Sequence, residues 1–222
     1  MGADIPKQFL DLSGKPLIVR TLERFSGNAG ISDVVIVCHR SHMDRMKNLV
    51  KENNVTKIFK IVPGGATRQE SSFEGVKNCP SGTEYVLIHD AVRPFATDRI
   101  IGDVLREAVK SKAAAPAVPP EDTIIVCNDD IITDIPARKS LRKIQTPQGF
   151  SYEVIYKAHM RAYEEGITDL TDDCGLVMVM GGSVKVVDGN EANIKITGRT
   201  DLLLAERLIR AEGGPDGPGK TV

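Results

Sequence analysis

The sequence predicts an α/β protein with a mostly parallel sheet and helices on both faces. Short apolar runs rich in β-branched residues recur along the first half of the chain, as in buried strands. Segments with apolar side chains at helical spacing lie between them. Strands that alternate with helices of about 10–15 residues form βαβ units, so this order favours parallel strands.

The elements of the first 120 residues follow from these patterns and from the proline and glycine residues that end them. Strands are predicted at Val34–Cys38, Phe59–Val62, Tyr85–Ile88 and Ala113–Val118. Helices are predicted at about Met43–Asn53, Gln69–Lys77 and Asp98–Lys112. Each helix therefore lies between two strands.

The alternation breaks after Pro119 and Pro120. Two short apolar runs, Thr123–Cys127 and Ile131–Asp134, flank a polar turn, which predicts a β-hairpin. The hairpin is too short to form a domain. We therefore predict that residues 121–145, approximately, form an arm that projects from the sheet.

The remaining segments complete one predicted domain over residues 1–212. Helices are expected at Tyr152–Glu165, at Thr171–Met180 with Thr171 as its N-cap, and at Asp201–Glu212; strands are expected at Val184–Val187 and Ile194–Ile196. The last residues, 213–222, are rich in glycine and proline, which predicts a disordered tail.

Composition and charge narrow the class of protein. With 29 basic and 30 acidic residues, the chain lacks the positive charge that nucleic acids or anionic membranes attract. Apolar runs are far shorter than the roughly 20 residues of a membrane span, and the chain does not open on a signal peptide. Its four cysteines are dispersed, as in reduced proteins. These features predict a soluble cytoplasmic protein.

Asp90 and Arg93 are the most informative pair in the chain. They follow the Tyr85–Ile88 strand directly, and Pro94 prevents the strand from continuing. Ligands of open α/β sheets bind at the carboxyl ends of strands, where an aspartate can hold a metal ion and an arginine can bind a phosphate. A structural ion pair that caps the next helix explains the same two residues equally well.

Each of the other motifs, taken alone, fits both a functional and a purely structural role. The run from Gly64 to Ser71 joins a strand to a helix, so its glycines and helix-start amides suit an anion or a base edge, or simply a turn. Lys7 precedes an apolar run and alone would be a solvated charge. Gln145–Gln148 is an unusual polar run that a loop would also explain. Asp172 and Asp173 suit a helix cap, and Lys195 suits either a phosphate site or an exposed edge strand.

Taken in order, the motifs resemble the cytidylyltransferases that make CDP-methylerythritol in isoprenoid synthesis. The resemblance rests on PKQF, GGATRQES, HDAVRPF, DTI, QTPQGF, LTDD and NIKIT, and runs from Met1 to about Arg210. It implies the nucleotide-diphospho-sugar transferase fold, a Rossmann-like sheet with a protruding β-arm. The ribitol-5-phosphate cytidylyltransferases are a sister family that shares these motifs, and Ile132–Arg138 is similar to that family as well.

The resemblance also implies the reaction and its site. A polyol phosphate attacks the α-phosphorus of CTP and expels pyrophosphate, with Mg²⁺ as cofactor. Lys7 is implied at the triphosphate, Lys195 at the α-phosphate, and Gly65, Ala66, Ser71 and Asp90 at the nucleotide, Asp90 also near the metal. Arg93, Thr123, Arg138, Thr146 and Thr171 are implied at the polyol phosphate, with Lys7, Arg138 and Lys195 as the catalytic residues.

Two further expectations follow from the resemblance. The arm of the family reaches into a partner, which implies a homodimer with Arg138 acting across the subunit boundary. Members of the family carry an apolar strand and a loop of the form A-A-G-x-G-x-R ahead of the position of Met1, and we expect the natural chain to include them. Without them, the alternative is a catalytically inactive scaffold member of the fold.

Overall fold

The structure is a computed structural model that describes residues 6–168 and 170–213, with side chains as far as residue 211. Its strands are β1 (Asp11–Leu12), β2 (Lys15–Pro16), β3 (Val34–Cys38), β4 (Ile58–Pro63), β5 (Tyr85–Ile88), β6 (Ala113–Val118), β7 (Val126–Asn128), β8 (Ile131–Asp134), β9 (Lys143–Ile144), β10 (Gln148–Ser151) and β11 (Lys185–Asp188). Its α-helices are α1 (Leu17–Ser26), α2 (Met43–Glu52), α3 (Arg68–Lys77), α4 (Asp98–Ser111), α5 (Tyr152–Glu164), α6 (Asp173–Val179) and α7 (Arg199–Gly213).

The main sheet has the strand order β11–β6–β10–β5, with β9 also paired to β6. β11 is parallel to β6, whereas β10 is antiparallel to both of its neighbours. β3 and β4 form a separate parallel pair. The α/β class is therefore confirmed, and the sheet is mixed because β10 runs against the strands beside it.

Helices cover both faces of the main sheet. On one face, Phe150 of β10 is fully buried among Ile155 of α5 and Leu176 of α6, a burial that stabilises the fold by about 1.5–3 kcal/mol for the phenylalanine alone. On the other face α4 packs so closely that a Cβ on Gly149 would lie 2.7 Å from Cγ1 of Val104. Only glycine allows this approach.

A cavity of about 700 Å³ separates β3 from β5. β3 pairs with β4 and β5 pairs with β10, and in the described part of the chain no strand pairs with the facing edges. Apolar side chains such as Ile36, Leu87 and Phe25 line the gap.

The predicted hairpin is present as β7 and β8. Asp129 and Asp130 both have positive φ, 46° and 64°, as in the two-residue turns that match the twist of paired strands. The first strand begins at Val126, not at Thr123 as predicted, because pairing with β8 starts only there. Several large apolar side chains of the arm are exposed: Ile124, Ile125, Val126, Ile131, Ile132 and Ile135.

Some predicted elements differ from the structure. The predicted strand Ile194–Ile196 is wrong: Ile196 N donates to Val92 O at 3.0 Å, but Ile194 N donates within a turn to Ala192 O, so no ladder forms. β10 was not predicted, because Gln148 and Gly149 lack β-forming character. Helix α1 was also missed, although its apolar residues have helical spacing.

The remaining differences concern the end of the chain. The N-cap of α6 is Asp172, not Thr171, since Asp172 Oδ1 accepts a 2.7 Å hydrogen bond from Gly175 N. α7 extends to Gly213, and the rest of the predicted tail lies outside the described residues. No helix within the described ranges is long and apolar enough to span a bilayer.

Candidate active site

An acidic side chain flanked by two basic ones lies at the carboxyl end of β5. Asp90 Oδ2 forms ion pairs with Arg93 Nε at 3.3 Å and with Lys195 Nζ at 3.1 Å. A 3.1 Å hydrogen bond from Arg93 N to the Asp90 carbonyl oxygen closes the turn between them. The pair that the sequence places after the strand is therefore joined by a second cation from near the C-terminus.

These neighbours keep Asp90 charged. Burial raises the pKa of Asp90, but the charges of Lys195 and Arg93 lower it by more, so that the pKa lies below its usual value. Lys195 is 45% exposed, and solvent screens its pair with Asp90. Lys195 can therefore turn from Asp90 to an anionic ligand while Arg93 remains paired with the carboxylate.

His89 is half-buried directly ahead of this turn and lines the cavity between β3 and β5. Its Nε2 is 2.9 Å from the carbonyl oxygen of Arg93, and its Nδ1 is 2.9 Å from Thr146 Oγ1. The same Thr146 oxygen accepts a 3.1 Å hydrogen bond from the amide of Asp90, and Phe25 packs against the imidazole ring. Burial lowers the pKa of His89 to about 4, so the ring is neutral near pH 7.

The loop that carries Lys195 is hydrogen-bonded to Arg93 and Thr146. Arg93 Nη1 donates to the carbonyl oxygen of Asn193 at 2.8 Å, and Asn193 Nδ2 donates to the carbonyl oxygen of Thr146 at 2.9 Å. Asn193 is fully buried. Because these bonds join the loop to the turn after β5, Lys195 is held within reach of Asp90.

The start of α3 forms a second part of the site. Gly65 has no room for a Cβ, which would collide with the side chain of Glu70. The amide of Ala66 donates to Glu70 Oε2 at 2.7 Å. Ser71 lines the cavity between β3 and β5 together with Asp90. The start of α3 thus carries an exposed backbone amide and a hydroxyl that lines the cavity shared with Asp90.

A buried carboxylate ties α3 to α5 and α6. Asp173, 1% exposed, accepts hydrogen bonds from Arg68 Nη2 at 2.8 Å and Ser72 Oγ at 2.6 Å, and His159 Nε2 lies 3.4 Å from its Oδ1. Burial raises the pKa of Asp173, but contact with His159, Arg68 and Ser72 lowers it by more, so the net shift is downward. The carboxylate is therefore ionised at neutral pH.

The remaining predicted residues lie on the arm, in the N-terminal 3₁₀ turn and ahead of α6, and they are not part of the Asp90 cluster formed by Asp90, Arg93 and Lys195. Arg138 Nη2 contacts Thr123 Oγ1 at 3.3 Å on the arm, and both side chains are exposed. Among the described residues no hydrogen bond or ion pair joins them to Asp90. Lys7 is exposed in a short 3₁₀ turn, and Thr171 is exposed ahead of α6.

Comparison with known proteins assigns the chain to a family. The profile of the family described as IspD, 2-C-methyl-D-erythritol 4-phosphate cytidylyltransferase, matches residues 1–211. The chain belongs to this cytidylyltransferase family. The resemblance inferred from the motifs is thereby confirmed, as is the assignment to the nucleotidyltransferases, enzymes that in this family serve isoprenoid biosynthesis.

Curated members and solved structures agree with this assignment. The cytidylyltransferase of Desulforamulus reducens is 38% identical over 95% of this chain and 90% of its own length. That of Clostridium perfringens is 38% identical over 95% and 93%. The synthase structure from Anaerococcus prevotii superposes with a TM-score of 0.84 at 30% identity, over 91% and 93% of the two chains. The Thermus thermophilus cytidylyltransferase gives 0.79 at 32%, over 92% and 94%.

For a cytidylyltransferase, the structure brings some predicted residues together and adds others. Asp90, Arg93 and Lys195 are in direct contact, and Thr146 touches Asp90, although its hydroxyl is engaged with His89 and the Asp90 amide. His89 had no predicted role, and the side chains of Asn193 and Asp173 had none beyond strand formation and helix capping. The sequence signal that could have identified these three residues is that each is a polar residue next to an apolar run.

Proposed function

We propose that this chain transfers CMP from CTP to 2-C-methyl-D-erythritol 4-phosphate and releases pyrophosphate. The observation that supports this most is the Asp90 cluster, in which two cations meet one carboxylate at the carboxyl end of β5, beside the start of α3. Both reactants are polyanions, so a site with mobile positive charge suits them. The identified family supplies the substrates.

The bonds in the transfer are simple. A phosphate oxygen of the polyol substrate attacks the α-phosphorus of CTP, and the bond between that phosphorus and the oxygen bridging to the β-phosphate breaks. The electron pair leaves with pyrophosphate. The protein contributes alignment and charge, since no covalent intermediate is required.

Lys195 is the residue that we place at the α-phosphate. Its side chain is exposed and, within the described residues, bonded only through a screened pair with Asp90, so it can turn to the phosphoryl oxygens as their charge grows. Lys7 would bind the β- and γ-phosphates from its exposed turn. Arg93, already neutralised in part by Asp90, would hold the phosphate of the polyol together with Thr171 and Thr146.

The start of α3 would bind the nucleoside. Gly65 lets the backbone approach a base, and the Ala66 amide would exchange Glu70 Oε2 for an acceptor on the cytosine ring. Ser71, which faces the cavity, would bind the base or ribose by its hydroxyl. Asp90 would accept from a ribose or polyol hydroxyl.

Asp90 is also the residue that would hold Mg²⁺. The described residues contain no cluster of three or more acidic, histidine or cysteine side chains arranged for a metal, so most ligands would be phosphate oxygens and waters. Both ion pairs of Asp90 use Oδ2, and Oδ1 suits a single bond to such an ion. When bound, Mg²⁺ supplies neutralisation of phosphate charge.

We further propose that two chains pair through the arm, in the cytoplasm. The exposed apolar side chains of the arm would be covered in a dimer, and four free cysteines suit a reducing compartment. Arg138 and Thr123 contact each other but not the Asp90 cluster of their own chain, which suits a role at the polyol phosphate of the partner.

Replacement of Arg138 by alanine in one subunit of a mixed dimer tests the crossing arm. Pair this change with Lys195→Ala in the other subunit. If Arg138 serves the partner, both lesions fall in one active site and about half of the wild-type turnover remains; the two changes in one subunit disable both sites. The measurement is pyrophosphate release by purified mixed dimers with separable tags. The reverse pattern, with no turnover when the changes are split between subunits and about half when both lie in one subunit, would rule out a crossing arm.

The function itself is tested by pyrophosphate release from the full chain with CTP and Mg²⁺, with 2-C-methyl-D-erythritol 4-phosphate and ribitol 5-phosphate in parallel. We expect release with the first substrate. Release with ribitol 5-phosphate alone would correct the polyol. No release together with no heat of CTP binding would favour the inactive scaffold. The Lys195→Ala protein, purified identically, controls for contaminating activity.

A further inference from the structure

Four residues beneath the Asp90 turn form a closed cycle of hydrogen bonds. His89 Nε2 contacts the Arg93 carbonyl oxygen at 2.9 Å, Arg93 Nη1 donates to the Asn193 carbonyl oxygen at 2.8 Å, and Asn193 Nδ2 donates to the Thr146 carbonyl oxygen at 2.9 Å. Thr146 Oγ1 closes the cycle on His89 Nδ1 at 2.9 Å. The cycle joins three segments that are distant in sequence.

The chemistry of the partners sets the direction of each bond at His89. A carbonyl oxygen only accepts, so Nε2 must carry the proton that it shares with Arg93. In the neutral ring Nδ1 is then an acceptor, and the Thr146 hydroxyl donates to it. The Thr146 oxygen is thereby oriented to accept from the Asp90 amide, as the 3.1 Å contact requires.

We infer that His89 is a positioning residue of the phosphate site, which holds Asp90, Arg93 and Lys195 in register through this cycle. The inference rests on the proposed function. Both ring nitrogens of His89 are engaged by protein groups and Phe25 packs against its ring, so the role of His89 is exerted through the turn. It acts through the two ends of the turn: the carbonyl of Arg93 directly, and the amide of Asp90 by way of Thr146.

Three features distinguish His89 from a histidine whose role is only structural. Both ring nitrogens of His89 contact residues of the proposed site: Nε2 contacts Arg93, and Nδ1 contacts Thr146, which is bonded to the Asp90 amide. His159, by contrast, packs against Phe73 and lies 3.4 Å from Asp173. The cycle also reaches the loop of Lys195. Asn193 Oδ1 is buried without a partner among the described residues, so the only side-chain hydrogen bond that Asn193 makes there is the one from Nδ2 in the cycle.

The test compares His89→Gln with the matched variant His159→Gln. Glutamine keeps a donor near Arg93 O but removes the acceptor for Thr146, so we expect kcat/KM for the polyol phosphate to fall about 100-fold, the loss typical of a misplacement of about 1 Å. We expect His159→Gln to lower the melting temperature with near-normal kcat/KM. If kcat/KM of His89→Gln were near normal, as expected for His159→Gln, or fell only in proportion to its loss of stability, the inference would be overturned.

A second measurement does not depend on turnover. Hydrogen exchange of the Asp90 amide should be slow in the wild-type protein and in His159→Gln, and at least tenfold faster in His89→Gln. Ring nitrogen NMR shifts of the wild type should show Nε2 protonated and Nδ1 bare. An Nδ1-protonated ring, or unchanged exchange at Asp90, would refute the positioning role. A wild type that shows these signatures but releases no pyrophosphate would contradict the proposed function alone.

Discussion

Replacement of Lys195 by alanine is expected to lower kcat by about 10²–10³-fold, the loss typical when one donor to a developing charge is removed. The effect should fall on kcat more than on KM, because the lysine gains its ligand as charge accumulates on the transferred phosphoryl group. Folding should change little, since the pair with Asp90 is screened and Arg93 remains beside the carboxylate.

Steady-state pyrophosphate release and thermal unfolding of the same preparation measure both parts of this expectation. Lys195→Arg should recover part of the rate, because the charge is kept but the shape of the head group differs. Lys47→Ala, at an exposed lysine paired with Asp44, is the control for general loss of a surface charge. Near-normal turnover in Lys195→Ala would exclude the assigned role.

Replacement of Asp173 by alanine is expected to destabilise the fold by about 3–5 kcal/mol, as when one partner of a buried ion pair is lost. Ser72 Oγ and Arg68 Nη2 would lose their acceptor, and His159 would lose its neighbouring charge. For a chain of this length the melting temperature should fall by roughly 10 °C. Asp44→Ala, at an exposed carboxylate, should change it little.

The pH dependence of stability tests the same carboxylate. The pKa of Asp173 in the folded chain lies below its usual value of 3.8, so its charge stabilises the fold at any pH above that value. This contribution is lost as the pH falls through the folded pKa. The stability difference between wild type and Asp173→Asn should therefore be constant near neutral pH and shrink below about pH 4. A constant difference down to pH 2 would contradict the lowered pKa.

Local patterns were sufficient for elements whose residues favour one structure by themselves. β3 and β5 were predicted because β-branched and aromatic runs end in proline or charged residues, and α4 because its apolar side chains follow helical spacing. β10 could not be predicted in this way. Gln148 and Gly149 form a strand because β5 and β6 offer edges on both sides and α4 leaves no room for a side chain.

The sequence by itself determined the α/β class, the family, and the pair Asp90 and Arg93, because a four-residue turn after a strand brings these side chains together locally. Only the tertiary structure decided that Lys195 completes the cluster and that His89 supports it. Arg93 and Asn193 are 100 residues apart, and Thr146 and His89 are 57 apart. Contacts over such separations depend on how the sheet and helices pack, which no local pattern specifies.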